Sequence, residues 1–168
     1  MFKISQLKPG LRIIKTSVAL GICLLIFYSF SYYRPIYAAM ACILTMKETS
    51  SSTKLLGYNR MIGTVIGGLF ALLGLYFIEL INLSQTSLLM PVLITFITLL
   101  VLLACKLFNF DSYVYSMAGV VTVFILLSYN SQGNALDYVV IRIFETFVGI
   151  VIAYLVNRYL NFGEKSNF

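Results

Sequence analysis

The apolar stretches of this chain contain few charged side chains, and two of these lie three residues apart. Arg142 and Glu145 stand in a segment that is otherwise almost free of charge, and their spacing places both on one face of a helix. They can form a structural ion pair that neutralises two costly charges. Alternatively, the arginine attracts an anionic substrate and the carboxylate takes up or releases a proton, as carboxylates do in coupled transporters.

Another charged residue, Arg60, begins a segment that is similar to the one beginning at Arg142. Arginine, threonine and glycine occupy the same offsets in both segments, 82 residues apart, and these offsets share one helical face. The two segments are Arg60-Met-Ile-Gly-Thr-Val-Ile-Gly67 and Arg142-Ile-Phe-Glu-Thr-Phe-Val-Gly149. The match predicts that each segment opens a membrane helix and that the chain contains an internal duplication, which is common in transporters.

The polar positions of the two segments form the candidate site. We predict that substrate is bound by Arg60, Thr64, Arg142 and Thr146, and that Glu145 couples transport to protons. Arg60 can instead anchor its helix at the membrane edge. Each threonine hydroxyl can bind a ligand or bond to a carbonyl of its own helix.

Glycines recur along the same helical stripes. Small residues at this spacing allow two helix backbones to approach closely in a membrane. We predict that Gly63, Gly67 and Gly149 serve helix packing. If one face of a helix packs closely against a neighbour, another face of the same helix can line a transport pathway.

The composition of the chain defines its class. Hydrophobic residues make up 60% of its 168 residues and charged residues 11%, and the mean hydropathy is +0.94. A soluble domain of this size cannot bury so much apolar surface, so the sequence predicts an all-α integral membrane protein. The net charge of +6 then fits contact with the anionic lipid bilayer and not with nucleic acid.

The sequence predicts neither enzymatic activity nor a bound cofactor. Histidine is absent, and the three cysteines, Cys23, Cys42 and Cys105, lack the spacing of metal ligands, so we expect no metal site. Phosphate-binding glycine loops and nucleophile elbows are also missing.

Uncharged runs predict six transmembrane helices in one membrane domain, residues 1–168. The runs are Thr16–Tyr33, Pro35–Met46, Met61–Ile81, Leu88–Cys105, Ser112–Tyr129 and Tyr138–Leu160. The second run is too short for a bilayer core of about 30 Å, because a helix rises about 1.5 Å per residue. Either the polar stretch Lys47–Lys54 completes it or it is half a helix. The hydroxyl groups of that stretch can also cap the next helix, coordinate an anion or face solvent.

The basic residues predict the orientation of the chain in the membrane. If the N-terminus is cytoplasmic and all six runs cross, ten of the twelve basic residues lie inside and only Arg34 and Arg142 outside. Both termini are then cytoplasmic in a multi-pass protein of the cell membrane. The halves, residues 10–82 and 88–160, hold three helices each and form two inverted three-helix repeats.

Several segments together resemble the membrane domain of the aromatic acid exporter family, which overlaps the fusaric acid resistance protein-like proteins. The resemblance rests on Tyr37–Met40, on Thr49–Ser52, on the two arginine segments and on Ala153–Asn157, and it covers residues 10–160. It implies efflux of small aromatic carboxylic acids, driven by the proton motive force.

Members of that family often carry a cytoplasmic domain or a second membrane unit after the sixth helix, whereas this chain stops at Phe168. We therefore expect a homo-oligomer or pairing with another chain. The leading prediction is a proton-coupled exporter of small organic anions, including aromatic carboxylic acids. The alternatives are a non-transporting scaffold, a half-unit subunit of a larger envelope complex, and a passive channel.

Overall fold

The computed structural model describes residues 11–30, 35–81, 88–129 and 134–160, and their regular structure is entirely α-helical. The helices are α1 Leu11–Ser29, α2 Ile36–Thr45, α3 Ser50–Leu80, α4 Leu89–Leu107, α5 Ser112–Ser128 and α6 Ala135–Tyr159. Each predicted run corresponds to one of them. The prediction of an all-α protein with six helices is confirmed for this part of the chain.

Four of these helices, α1, α3, α4 and α6, are long and apolar enough to cross a membrane. Helix α5 has 17 residues and α2 has 10. A helix as short as α2 spans about 15 Å, about half of the bilayer core. Lys3, Lys8, Arg34 and Lys165, which contribute to the predicted orientation, lie outside the described residues, and the six crossings stay a prediction.

The polar stretch Lys47–Lys54 does not continue α2 as a helix, and whether it completes the membrane crossing stays a prediction. The backbone turns extended at Met46, and α3 begins at Ser50. Thr49 caps the new helix, because its Oγ1 accepts a hydrogen bond from the Ser52 amide at 3.2 Å. The predicted helix cap is therefore present, and it starts α3 while α2 stays short.

Helices α3 and α6 begin earlier than hydropathy predicts. Helix α3 starts at Ser50, well before Met61, and α6 starts at Ala135. Arg60 and Arg142 therefore lie within helices and do not open them, which corrects the prediction made from the repeated segments. Hydropathy marks only the apolar part of a helix, whereas hydrogen bonding continues the helix through polar residues.

Contacts divide the chain into two compact units, and the boundary passes through α3 and α6. Unit 1 comprises Met1–Gly57 and Glu145–Phe168, and unit 2 comprises Tyr58–Phe144. The units therefore differ from the halves 10–82 and 88–160, because both α3 and α6 contribute residues to each unit.

Unit 1 is built from α1, α2 and the end of α6. Helix α1 packs on α2, and small residues such as Ala19, Ala38 and Ala153 lie in their common core. Gly149 of α6 approaches α2 so closely that a Cβ at this position would overlap the carbonyl oxygen of Ala38. Glycine is therefore required for this helix contact.

Unit 2 contains the corresponding contacts among α4, α5 and α3. Helix α4 packs on α5, and a Cβ at Gly67 of α3 would overlap the carbonyl oxygen of Ala118 on α5. One turn earlier, a Cβ at Gly63 would lie 2.7 Å from the carbonyl oxygen of Val114. The Thr122 hydroxyl of α5 shares its proton between the Ala118 carbonyl of its own helix at 2.8 Å and the Gly67 carbonyl of α3 at 3.1 Å.

Adding one methyl group at these contacts tests the packing. Gly67→Ala and Gly149→Ala should each lower the free energy of unfolding by about 1–3 kcal/mol, because the helices must separate to admit the Cβ. Gly21→Ala is the control, since a Cβ there meets nothing within 4 Å and alanine favours helix. Thermal unfolding of the purified protein in detergent measures the effect. Equal unfolding midpoints for all three variants would contradict this account.

Candidate functional site

Arg60 of α3 is buried in unit 2 and contacts neutral groups. Only 6% of its surface is exposed, and its Nη1 donates to the sulfur of Met117 on α5 at 3.4 Å. Tyr113, one turn earlier on α5, is close enough to Arg60 to interact with it electrostatically. The Nε atom has no hydrogen-bond partner among the described residues. The guanidinium thus bonds to a thioether and lies near a phenol.

A carboxylate at the start of α5 is engaged by another residue. Asn59 Nδ2 donates to Asp111 Oδ2 at 3.1 Å, and Asp111 is exposed. Within the described residues no acidic side chain pairs with Arg60. Buried charges in proteins are usually paired or bind a ligand, so this cation is a candidate for anion binding.

Thr64 lies one turn after Arg60 and is 1% exposed. Its Oγ1 donates to the Arg60 carbonyl at 2.9 Å, so the predicted bond to its own helix is confirmed. The oxygen can still accept a hydrogen bond. Its role in substrate binding stays a prediction.

Arg142 lies against an aromatic cluster of unit 2. Its guanidinium carbon is 4.6 Å from the ring centroid of Tyr138, within the range of a cation–π interaction. Tyr138 packs edge-on against Tyr129 with 5.7 Å between ring centroids. The Tyr129 hydroxyl donates to Glu79 Oε1 at 3.1 Å. The sequence does not predict this cluster, because its members come from three separate helical segments.

Glu145 and Thr146 are buried polar residues of α6 in unit 1. They are 1% and 2% exposed, and Glu145 lies close enough to Cys23 of α1 to interact with it electrostatically. A carboxylate shielded from water in this way is a candidate proton carrier. Arg142 belongs to unit 2, and the predicted ion pair between Arg142 and Glu145 stays a prediction.

A second polar cluster in unit 1 is centred on Asn157, which is fully buried near the end of α6. Its Oδ1 accepts a hydrogen bond from Lys15 Nζ at 3.0 Å. Its Nδ2 donates to the Lys47 carbonyl at 2.9 Å and to Thr53 Oγ1 at 2.7 Å. Ser50 Oγ donates to the Asn157 carbonyl at 3.3 Å. One residue therefore connects α1, the segment before α3, α3 itself and α6.

Sequence reasoning did not predict this Asn157 cluster. It counted Lys15 only as one of the ten basic residues on the cytoplasmic side, and the structure adds that only 6% of Lys15 is exposed. The available signal was an asparagine among apolar residues near the end of α6, since such amides usually bond to neighbouring helices. Among the described residues, no group of three or more histidine, cysteine or acidic side chains could hold a metal ion.

The helical architecture, the apolar helices and the charges shielded by protein define an integral membrane protein. A family model described as fusaric acid resistance protein-like matches residues 21–156, which is most of the chain, so the protein belongs to this family. The resemblance found in the sequence is thereby confirmed. The family suggests a membrane protein related to transport or resistance. No curated protein and no solved structure matches the chain.

Removal of the Asn157 amide should destabilise unit 1. In Asn157→Leu, buried polar groups such as Lys15 Nζ and Thr53 Oγ1 lose a partner, so the free energy of unfolding should fall by at least about 2 kcal/mol. Asn59→Leu is the matched control, because Asn59 bonds to an exposed carboxylate. Thermal unfolding compares the two variants. A smaller loss for Asn157→Leu than for Asn59→Leu would show that the cluster contributes little.

Proposed function

We propose that this protein exports small organic anions, aromatic carboxylic acids among them, from the cytoplasm and couples their export to protons. The observation that carries the proposal is the buried Arg60 guanidinium with neutral partners. Desolvating a cation costs several kcal/mol without a compensating charge. A carboxylate supplies that charge, and its two oxygens match the planar donors of arginine.

Glu145 is the proposed proton carrier. Its burial within a membrane helix supports this role, because intramembrane carboxylates commonly serve as proton relays in pumps and transporters. Arg142 is proposed as a second cationic contact for the substrate, with the Tyr138 ring beside it. Thr64 in unit 2 and Thr146 in unit 1 are each proposed to offer a hydroxyl group to substrate.

We also propose that the chain is an inverted repeat whose halves exchange their third helices. Unit 1 combines α1 and α2 with the later part of α6 and the first turns of α3, and unit 2 combines α4 and α5 with the rest of α3 and the start of α6. In each unit, a glycine of the third helix contacts an alanine carbonyl of the second helix. The same contacts in both units support a duplication, and inverted repeats are common in secondary transporters.

Efflux from cells loaded with labelled benzoate and related acids tests the transport proposal. Arg60→Gln and Glu145→Gln should each lower chain-dependent efflux about tenfold or more, because a buried charged contact contributes more than about 1.4 kcal/mol. Arg158→Gln and Glu48→Gln are matched controls, since both residues are exposed. Their efflux should stay close to that of the wild type.

The outcomes of the efflux experiment separate the alternatives. Absence of chain-dependent efflux by the folded protein would favour a scaffold or a half-unit subunit. Efflux that persists after collapse of the proton gradient would favour a passive channel. Loss of efflux in Arg60→Gln but not in Glu145→Gln would retain an exporter and remove Glu145 from the coupling.

Labelling of single cysteines from outside the cell tests the orientation and the crossing of α2. If all six helices cross and both termini are cytoplasmic, an impermeant maleimide should label Ser84→Cys and should not label Ser112→Cys. If α2 does not cross, the pattern reverses, because every later loop changes sides. The native Cys23, Cys42 and Cys105 are buried, which keeps the background low.

A further inference from the structure

The side chains that hold Arg60 come from the first turns of α5. Tyr113 and Met117 are four residues apart and lie on one face of that helix. The close approach of α3 to α5 at Gly63 brings this face within reach of the guanidinium. Both side chains are half-buried. Their position depends on the backbone contact, and the sequence of neither helix indicates it.

The chemistry of these two residues is what leaves the cation uncompensated. A thioether sulfur is a weak hydrogen-bond acceptor, and a phenol is neutral at physiological pH. An acidic side chain at position 113 or 117 would pair with the guanidinium. The acidic residue present at this end of α5, Asp111, bonds to Asn59 instead. Tyr113 and Met117 thus orient the Arg60 side chain without neutralising its charge.

The start of α5 adds a second favourable element for an anion. Helix α5 has 17 residues, and the amide groups at a helix N-terminus carry partial positive charge. The Arg60 Nε, on a side chain only 6% exposed, has no hydrogen-bond partner among the described residues. One donor of this guanidinium, whose Nη1 contacts Met117 in the second turn of α5, therefore stays available to an anion.

We infer that Tyr113 and Met117 are positioning residues of an anion site formed by Arg60 and the N-terminal turns of α5. This inference rests on the proposed function and specifies how the Arg60 guanidinium is oriented without a counter-ion before the substrate binds. The Tyr113 hydroxyl orients the planar guanidinium. The contact from Met117 sulfur to Nη1, at 3.4 Å, is weak enough for a carboxylate to displace, after which the carboxylate accepts hydrogen bonds from the guanidinium.

An internal carboxylate should act as a permanent competitor for the substrate. In Met117→Glu, the new side chain can pair with Arg60 and should raise the KM for benzoate about tenfold or more, whereas Met117→Gln should change it much less. Tyr113→Phe should raise KM several-fold with kcat retained, because only orientation is lost. Ser116→Glu is the control, since this exposed neighbour carries the same charge on another face of α5.

Benzoate-dependent efflux from proteoliposomes and thermal unfolding without ligand are measured for each variant. We expect Met117→Glu to unfold at a higher temperature than Met117→Gln, because it gives the buried guanidinium a counter-ion. This readout stands even if the wild type does not transport benzoate, an outcome that would reject the proposed function alone. Equal unfolding midpoints for Met117→Glu and Met117→Gln, or an unchanged KM in Met117→Glu and Tyr113→Phe with an active wild type, would overturn the inference.

Discussion

The contact of a glycine on a long helix with a carbonyl of a shorter helix is the constraint on which both units depend. In unit 2 it joins Gly67 to Ala118, and in unit 1 it joins Gly149 to Ala38. Within lipid, apolar surface supplies little drive for helix association, so close backbone packing and interhelical hydrogen bonds must supply it. Because the helices approach so closely, side chains next to the contacts are shielded by protein. Arg60 owes its burial to this geometry.

The two buried polar clusters solve the problem of desolvation in opposite ways. Both the oxygen and the nitrogen of the Asn157 amide make hydrogen bonds within unit 1, so this amide needs no ligand. Arg60 in unit 2 keeps a charge that its neutral neighbours do not compensate. Amides whose hydrogen bonds are all made hold helices together, whereas a buried cation without a counter-ion favours binding of an anion. The first cluster is therefore structural, and the second is where the proposed function places its ligand.

Prediction from sequence succeeded where one segment carries its own signal and failed where two segments are needed. Length and hydropathy located all six helices, because a helix satisfies its backbone internally whatever its neighbours are. The start of α3 at Ser50 was missed although its Thr49 cap is local, because the bond that ties Ser50 to α6 comes from the distant Asn157. The partners of Arg60 were missed for the same reason: Met117 is distant in sequence and carries no charge that would suggest it.

The sequence by itself determined the class of the protein, its family and the residue types available for chemistry, because hydropathy, charge and short motifs are local properties of the chain. Only the tertiary structure decided which of those residues are isolated from water and what they face. That decision needs helix contacts between distant segments, such as Gly63 with Val114, and these set the distance from Arg60 to Met117. The energy of a buried charge depends on its surroundings, and the surroundings exist only after packing.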